Sequence, residues 1–457
     1  MTKVRPVDAG RFPDSLVLLF VLILLAQVAT YFLPAGEFER DGLRVVSGSF
    51  HPVNADPLPW FSFLTLIPVG LSAAQEIIFF VFIVGGVIAV VRATGAIDAL
   101  IGACIRNLGS RPHFLVGGMV AVFALGSSTI GMAEEYVAFV PILVAMCLSM
   151  KMDAMVAVAI IYVGAGIGYA CAALNPFTVL IAQEIAGVQP TSGQTVRWIL
   201  LLLCAGIGVH HIVSYVRKLE RTPEPDLVNE TVAAGDTKAL ELRFLEFKHI
   251  FVLLIFVAGV GLFLFGAMFW AWYLAELTAM LLGLALVIAV VSKLNYNLVA
   301  TAFCRGAAGL TTTALLIGFA RTIQVILSEA QVIDTIIYSV AQSINGLPSG
   351  VAVLGMLLVQ TVCNFFVPSG SGQAFITMPI MAPLADLTGI SRQTAVLAYQ
   401  FGDGFTNMVV PTNAVLMGIL GLAQVPYHAW LRFIVPLLGK LYVVAIIVLL
   451  MAVEFGY

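Results

Sequence analysis

The chain has 457 residues, 61% of them hydrophobic and 10% charged, with a formal net charge of -3 and a mean hydropathy of +1.04. That is too little polar surface to cover a soluble globule of this size, so the composition specifies a polytopic membrane protein. The basic residues form no stripe, which excludes nucleic acid as a partner, and the six cysteines (104, 147, 171, 204, 304, 363) include no close pair that would make a metal or redox site.

In chain order, Met1 to Asp14 is short and basic, with Lys3, Arg5 and Arg11 ahead of the apolar run Ser15 to Leu33. That run has no cleavage signal and is expected to be retained, and positive charge keeps the N-terminus cytoplasmic. Pro34 to Pro59 is a polar outer excursion, and Phe63 to Val91 holds a short interfacial helix before Pro68 and then a span from Ala73. Ala96 to Gly109, flanked by Arg92 and Arg111 and containing Arg106, reads as a helix lying in the cytoplasmic interface. Residues 113–150 are two short apolar arms around the Gly, Ser and Glu cluster at 126–135, with Arg111 and Lys151 at the outer ends. Both ends on one side means a re-entrant hairpin. Residues 152–186 are a crossing broken at Leu174-Asn175-Pro176. Pro176 has no N–H and disfavours helical backbone at Asn175, and such irregularity is tolerated at depth only against protein or a water-filled cavity. Trp198 to Val216 returns to the cytoplasm.

Residues 217–248 are rich in Glu, Asp, Lys and Arg and read as a cytoplasmic linker, and 249–270 hold one extra span. The second half then repeats the plan of the first. Spans at 277–291 and 309–327 precede an amphipathic segment at 331–344, a hairpin at 351–388, a broken crossing at 394–420 and a last span at 433–453. Pro141 to Asn175 and Pro379 to Asn413 are both 34 residues, so one offset of 238 superposes them and lays the GAG of 164–166 on the GDG of 402–404. Ala96-Ile97-Asp98 recurs as Val332-Ile333-Asp334. The expected fold is an all-α polytopic membrane protein with repeats 1–216 and 271–457, two re-entrant helical hairpins, two broken transmembrane helices and nine full spans. The extra span inverts the second copy, which is transporter architecture.

The candidate site is drawn from the four interruptions. Ser127, Ser128, Thr129, Ser369 and Ser371 stand at the hairpin tips, where small hydroxyl residues either return hydrogen bonds to nearby carbonyls or contact a ligand. Glu134, Glu135 and Asp403 are ionisable groups at membrane depth, costly unless paired, hydrated or protonated, and Asn407 lies one turn beyond Asp403. Asn175, Thr178, Thr412 and Asn413 flank the two breaks; they can cap helices or, with the tips, form a binding centre of helix ends. Gln373 is a further candidate, with Gln183 and Gln400 behind it. There is no GxGxxG, P-loop, HExxH or CxxC, and the six histidines sit mostly at ends and loops, so an enzyme is not expected.

GSSTIGMAEE (126–135), LNPFTVLIAQEIAG (174–187), NFFVPSGSGQA (364–374), TMPIMAPLAD (377–386), YQFGDGFTN (399–407) and PTNA (411–414) resemble the YfcC-type branch of the DcuC/ArcD group in the ion transporter superfamily. The resemblance covers nearly the whole chain. It implies paired hairpins, a homodimer with a scaffold and a moving transport domain, and cation-coupled uptake or exchange of small carboxylates or amino acids. By position it places the first tip at Ser127 to Glu135 and the second at Pro368 to Gln373, with partner breaks at 175–178 and 406–413. The coupling ion would be Na+ or H+, with Na+ near Ser128, Asn175, Ser371 and Asn413, although the Ser-Asn-Thr triplet of sodium-coupled members is absent in strict form.

A dianion should want a basic group at depth, and Arg321 is the one basic residue well inside a span. In the two core stretches, 126–176 and 364–413, the only Arg or Lys are Lys151 and Arg392, at turns away from the four interruptions, which favours a small amino acid, basic ones included, carried by an elevator-type secondary transporter. A C4-dicarboxylate or other small organic anion is the alternative, and a re-entrant-loop ion channel is the alternative of another class. The expected setting is the bacterial cytoplasmic membrane, with the lipid bilayer, a small-molecule substrate and a second copy as partners. The linker would be inside and Tyr457 outside.

Overall fold

Apolar runs without interior breaks fold as single helices, and runs carrying Gly, Ser, Asn and Pro fold as helix pairs. The computed structural model describes residues 15–457 apart from 42–43, 47, 98, 101–102, 104–111, 130, 222–244, 271, 273, 343 and 345. The expected basic N-terminus, most of the interfacial segment at 96–109 and most of the 217–248 linker lie outside the described residues.

The helices of the first half are α1 (Ser15–Ala29), α2 (Ser62–Thr65), α3 (Ile67–Ala73), α4 (Gln75–Ala93), α5 (Pro112–Thr129), α6 (Val140–Ser149), α7 (Ala154–Ala170), α8 (Val179–Ile185) and α9 (Gln194–Arg221). A 3-10 turn, Glu134–Phe139, leads into α6, and Pro141 sits in the first turn of that helix, where its missing N–H is not needed. Then follow α10 (Phe247–Phe269), α11 (Leu274–Val291), α12 (Tyr296–Ala308), α13 (Thr311–Glu329), α14 (Ile333–Gln342), α15 (Ser349–Phe366), α16 (Gly370–Leu387), α17 (Arg392–Thr406), α18 (Ala414–Leu422) and α19 (Tyr427–Phe455).

Among the described residues, five helices are long and apolar enough to cross a membrane: α4, α9, α13, α15 and α19. Helix α15 is the first arm of the second expected hairpin. Shorter apolar helices stand at four other expected crossings, Leu16–Ala29, Ala154–Ala170, Phe247–Phe263 and Ala275–Val291. Exposed large side chains such as Phe32, Leu202, Val290 and Phe247 give the surface the apolar character of a lipid-facing one.

The packing is consistent with an internal repeat. Helix α5 packs on α7 and α9, and α15 packs on α17 and α19; α4 packs on α11 and α12, and α13 on α1 and α3. The caps repeat as well, since Asp153 accepts the Val156 N–H at the start of α7 and Ser391 accepts the Thr394 N–H at the start of α17, each at 3.0 Å. Helix α12 is absent from the expectation above. It is the counterpart of α2 and α3, and a Cβ at Gly306 would collide with the Gly85 carbonyl, as one at Gly70 would collide with Thr322.

The outer excursion holds the only strands among the described residues, β1 (Gly36–Glu37) paired with β4 (His51–Pro52) and β2 (Arg40–Asp41) with β3 (Arg44–Val45). Asp334 anchors it to α14, accepting from Arg40 Nη2 at 2.7 Å and from the Phe38 N–H at 3.1 Å, while Phe50 stacks on Tyr338 with ring centroids 4.1 Å apart.

Candidate functional site

The four interruptions meet around one cavity of about 520 Å³. Its wall takes Gly131 and Glu134 from the first tip, Phe177 and Thr178 from the first break, Pro368 to Ser371 from the second tip, and Asn407 with Thr412 to Val415 from the second break. Tyr162 and Tyr169 of α7, the start of α4 and Arg321 of α13 complete it.

The first tip is tied to the first break by hydrogen bonds that leave few polar groups over. Ser127 Oγ donates to the Met132 carbonyl at 2.7 Å, and Ser128 Oγ accepts the Ala173 N–H at 3.1 Å. Asn175 Nδ2 donates to the Ser127 carbonyl at 2.9 Å while its Oδ1 accepts the Phe177 N–H at 2.8 Å. Thr129 returns its hydroxyl to the Leu125 carbonyl at 2.6 Å. These four side chains brace backbone and are not on the cavity wall. Gly131, with φ +82°, turns the chain between the arms, a conformation in which a Cβ would also strike Phe177 and Asn175. Thr178 is different: it lines the cavity, is 1% exposed, and its Oγ1 has no hydrogen-bond partner among the described residues.

The adjacent glutamates divide. Glu135 is buried with its Oε2 on the Ala133 N–H at 2.9 Å, whereas Glu134 lines the cavity. Both were candidates, and the cavity wall takes Glu134 and not Glu135. Consecutive residues in a 3-10 turn point about a third of a turn apart, so only one can face the cavity.

The second tip and break carry a connected chain of polar groups. The Tyr162 hydroxyl donates to Asn413 Oδ1 at 3.1 Å, Asn413 Nδ2 to Asn407 Oδ1 at 2.7 Å, and Asn407 Nδ2 to Asp403 Oδ1 at 2.9 Å. Asn413 Oδ1 also accepts the Leu416 N–H at 3.0 Å and so caps α18. Ser369 caps α16, and Thr412 donates to the Phe365 carbonyl at 2.7 Å. Asp403 is 1% exposed, with no salt bridge to Lys or Arg among the described residues. Its flanking glycines serve helix crossings: a Cβ at Gly404 would strike the Ala170 backbone, and one at Gly402 would strike Gln360.

Gln373 donates to Gln360 Oε1 at 2.6 Å between the arms of the second tip and is buried away from the wall. Gln183 holds the Thr191 N–H of the outer loop at 2.9 Å, and Gln400 reaches the Ala172 carbonyl at 3.4 Å. Arg321 was set aside because it lies outside both core stretches. The packing of α13 against α18 brings it to the cavity, where its Nη1 donates to Gln324 at 2.6 Å. Its signal was available in the sequence as a lone basic group inside a span. Glu76, Tyr162 and Tyr169 also line the wall and were missed.

The profile of the family described as "DcuC: C4-dicarboxylate anaerobic carrier" matches residues 12–454. The chain belongs to this family. It is 32% identical over 502 aligned positions to the "Putative basic amino acid antiporter YfcC" of Escherichia coli (strain K12), covering 100% of this chain and 99% of that protein. An uncharacterized protein of Haemophilus influenzae is 28% identical, with 97% of each chain covered. Two solved transporters align distantly. The Alcanivorax borkumensis YdaH transporter has a TM-score of 0.43 at 16% identity, covering 97% of this chain and 99% of its own. Neisseria gonorrhoeae MtrF has 0.41 at 18%, covering 97% and 95%. The DcuC-family chain is thus a bacterial multi-pass secondary transporter of small molecules, and not an enzyme.

Proposed function

We propose that this DcuC-family protein carries C4-dicarboxylates or comparable small organic anions, coupled to Na+ or H+. The observation behind this reading is Arg321 on the cavity wall, in the same cavity as the N-terminal ends of α16 and α18 at Ser369 to Ser371 and Asn413 to Val415. A guanidinium is a bidentate partner for one carboxylate, and helix N-termini present free N–H groups and positive dipole ends to another. The family description points the same way, and it favours an anion over the amino acid that the absence of Arg and Lys from the four interruptions favours. Glu76 and Glu134 on the same wall support a second reading, an amino acid whose ammonium they would hold and whose carboxylate Arg321 would hold.

The mechanism proposed is alternating access, with the two interrupted helix pairs 113–150 and 351–388 as re-entrant hairpins, nine full spans and a homodimer in which the hairpins and broken helices move against a scaffold. Uptake of a labelled C4-dicarboxylate and of a labelled basic amino acid into proteoliposomes, under Na+ and pH gradients, tests the substrate. Saturable dicarboxylate uptake with counterflow is expected, and Arg321→Gln should raise the half-saturating concentration about 10- to 150-fold, the value of a charged hydrogen bond of ~1.5–3 kcal/mol. Transport of the amino acid alone would establish the second reading. Unsaturable flux without counterflow would establish a channel.

A further inference from the structure

The one fully buried arginine among the described residues, Arg197, lies outside the cavity and has no part in the reading above. It sits in the first turn of α9 and reaches the carbonyl end of α7, where its Nη1 donates to the Ala172 carbonyl at 3.5 Å. Gln400 of α17 donates to the same carbonyl at 3.4 Å and to that of Tyr169 at 3.5 Å. The side chains that act on it electrostatically include the Tyr457 phenol and the Cys171 thiol, neither a carboxylate, and no salt bridge to it is present among the described residues. Its Nε and Nη2 are buried without hydrogen-bond partners among the described residues.

A guanidinium with no carboxylate partner at this depth is costly even with the Tyr457 phenol against it, so something more must hold it. What faces it is the C-terminal end of α7, just before the Asn175-Pro176 break, with the negative end of that helix's dipole. Such an end is where a broken membrane helix can take a cation. The other repeat supplies the comparison. At the end of α17 the Met408 carbonyl accepts from Trp430 Nε1 at 2.8 Å and the Val409 carbonyl from the Tyr427 hydroxyl, both from α19, the counterpart of α9. Each break is therefore capped from the helix that follows it, by neutral donors in the second repeat and by a cation in the first. At the offset of 238 residues Arg197 corresponds to Val435, which is apolar and 53% exposed.

We infer that Arg197 is a tethered cation, a positioning residue that holds the carbonyl end of α7 in the way a bound metal ion would hold it. The first break then keeps one charge state through the transport cycle. A mobile cation acts only at the second break, where Asp403 stands without a basic partner. The inference does not depend on which substrate is carried.

The test uses the purified full-length protein and its Arg197→Gln and Arg197→Lys variants. Thermal unfolding is measured in choline chloride, NaCl and millimolar guanidinium chloride, and initial transport rates are measured in proteoliposomes. Arg197→Gln should unfold at lower temperature and lose at least tenfold in maximal rate with little change in half-saturating concentration. Guanidinium should raise its unfolding temperature and not that of the parent, Na+ should raise its unfolding temperature by more than it raises the parent's, and Arg197→Lys should keep most of both properties. Arg197→Gln indistinguishable from the parent would overturn the inference. So would Arg197→Lys failing as fully as Arg197→Gln with no rescue by either cation, and if Arg197→Gln does not accumulate, the lysine variant decides alone.

Discussion

Asn175 and Asn413 stand at one offset in the two repeats, yet the structure gives them different work. Asn175 uses both ends of its amide on backbone, joining tip to break, whereas Asn413 caps α18 and passes hydrogen bonding on through Asn407 to Asp403. Their equivalence is legible in the sequence; their division is not, because it depends on which neighbour folds against each. Asp403 is the acid at the end of that chain. Replacing it with Asn keeps the shape and removes the charge, an interaction worth ~1–3 kcal/mol after partial hydration, or roughly 5- to 150-fold in apparent affinity. Asp403→Asn should elute as folded protein on gel filtration, and calorimetry should show weakened cation-dependent substrate binding. Normal affinity with normal ion dependence would return the acid to a structural role. Glu134→Gln should alter substrate binding more than Glu135→Gln, since Glu134 faces the cavity and Glu135 holds the turn through Ala133. The reverse order would mean that the cavity wall seen here is not the binding surface.

At the scale of elements, hydropathy located the long helices, and the Gly, Ser, Asn and Pro clusters fall where helices end at Thr129, Ala170, Phe366 and Thr406, since these features are local. Helix α12 was not found that way, because it is short and carries Asn297 and Arg305, so it lacks the continuous apolar run of a span, and its place is fixed by α4. The repeat itself was the usable signal, as α2 and α3 have to have a counterpart. Crossing points depend on glycine more than on any polar group. A Cβ at Gly404 would lie 2.3 Å from the Ala170 nitrogen, and backbone cannot yield to it as a side chain could. Gly404→Ala should therefore destabilise by ~1–3 kcal/mol, the usual effect of forcing a methyl into packed structure. Gly439 in α19 meets nothing within 4 Å, and Gly439→Ala should be neutral or stabilise by ~0.4–1 kcal/mol. Thermal unfolding of the two variants side by side checks this. Equal behaviour would show that the crossing of α7 and α17 is looser than the packing described.

For the whole molecule, helices α1, α3, α4 and α11 to α13 pack mainly with one another, and α5 to α9 with α15 to α17 and α19, while α18 packs mainly on α13. Helix α19 packs on α9, α15 and α17, because it repeats α9 and each follows its own broken helix. Chain order alone says nothing about such neighbours in a bilayer where every span is equally apolar. The two groups touch where α13 meets α18: a Cβ at Gly421 would lie 2.9 Å from Thr313 Oγ1 and 3.3 Å from Thr313 Cα. If the hairpins and broken helices slide as a body against the scaffold, this contact must break in each cycle. A Thr313→Cys, Gly421→Cys pair, in protein whose six native cysteines are replaced, is within disulfide reach. Oxidation should stop transport while leaving substrate binding intact, since the cavity walls on both sides of α18 are already assembled, and reductant should restore the rate. Each single-cysteine variant should transport under both conditions, which separates the crosslink from the cost of filling Gly421. Full transport by the oxidised pair would mean that α13 and α18 stay together throughout, and access to the cavity would then have to alternate by movement of the tips alone.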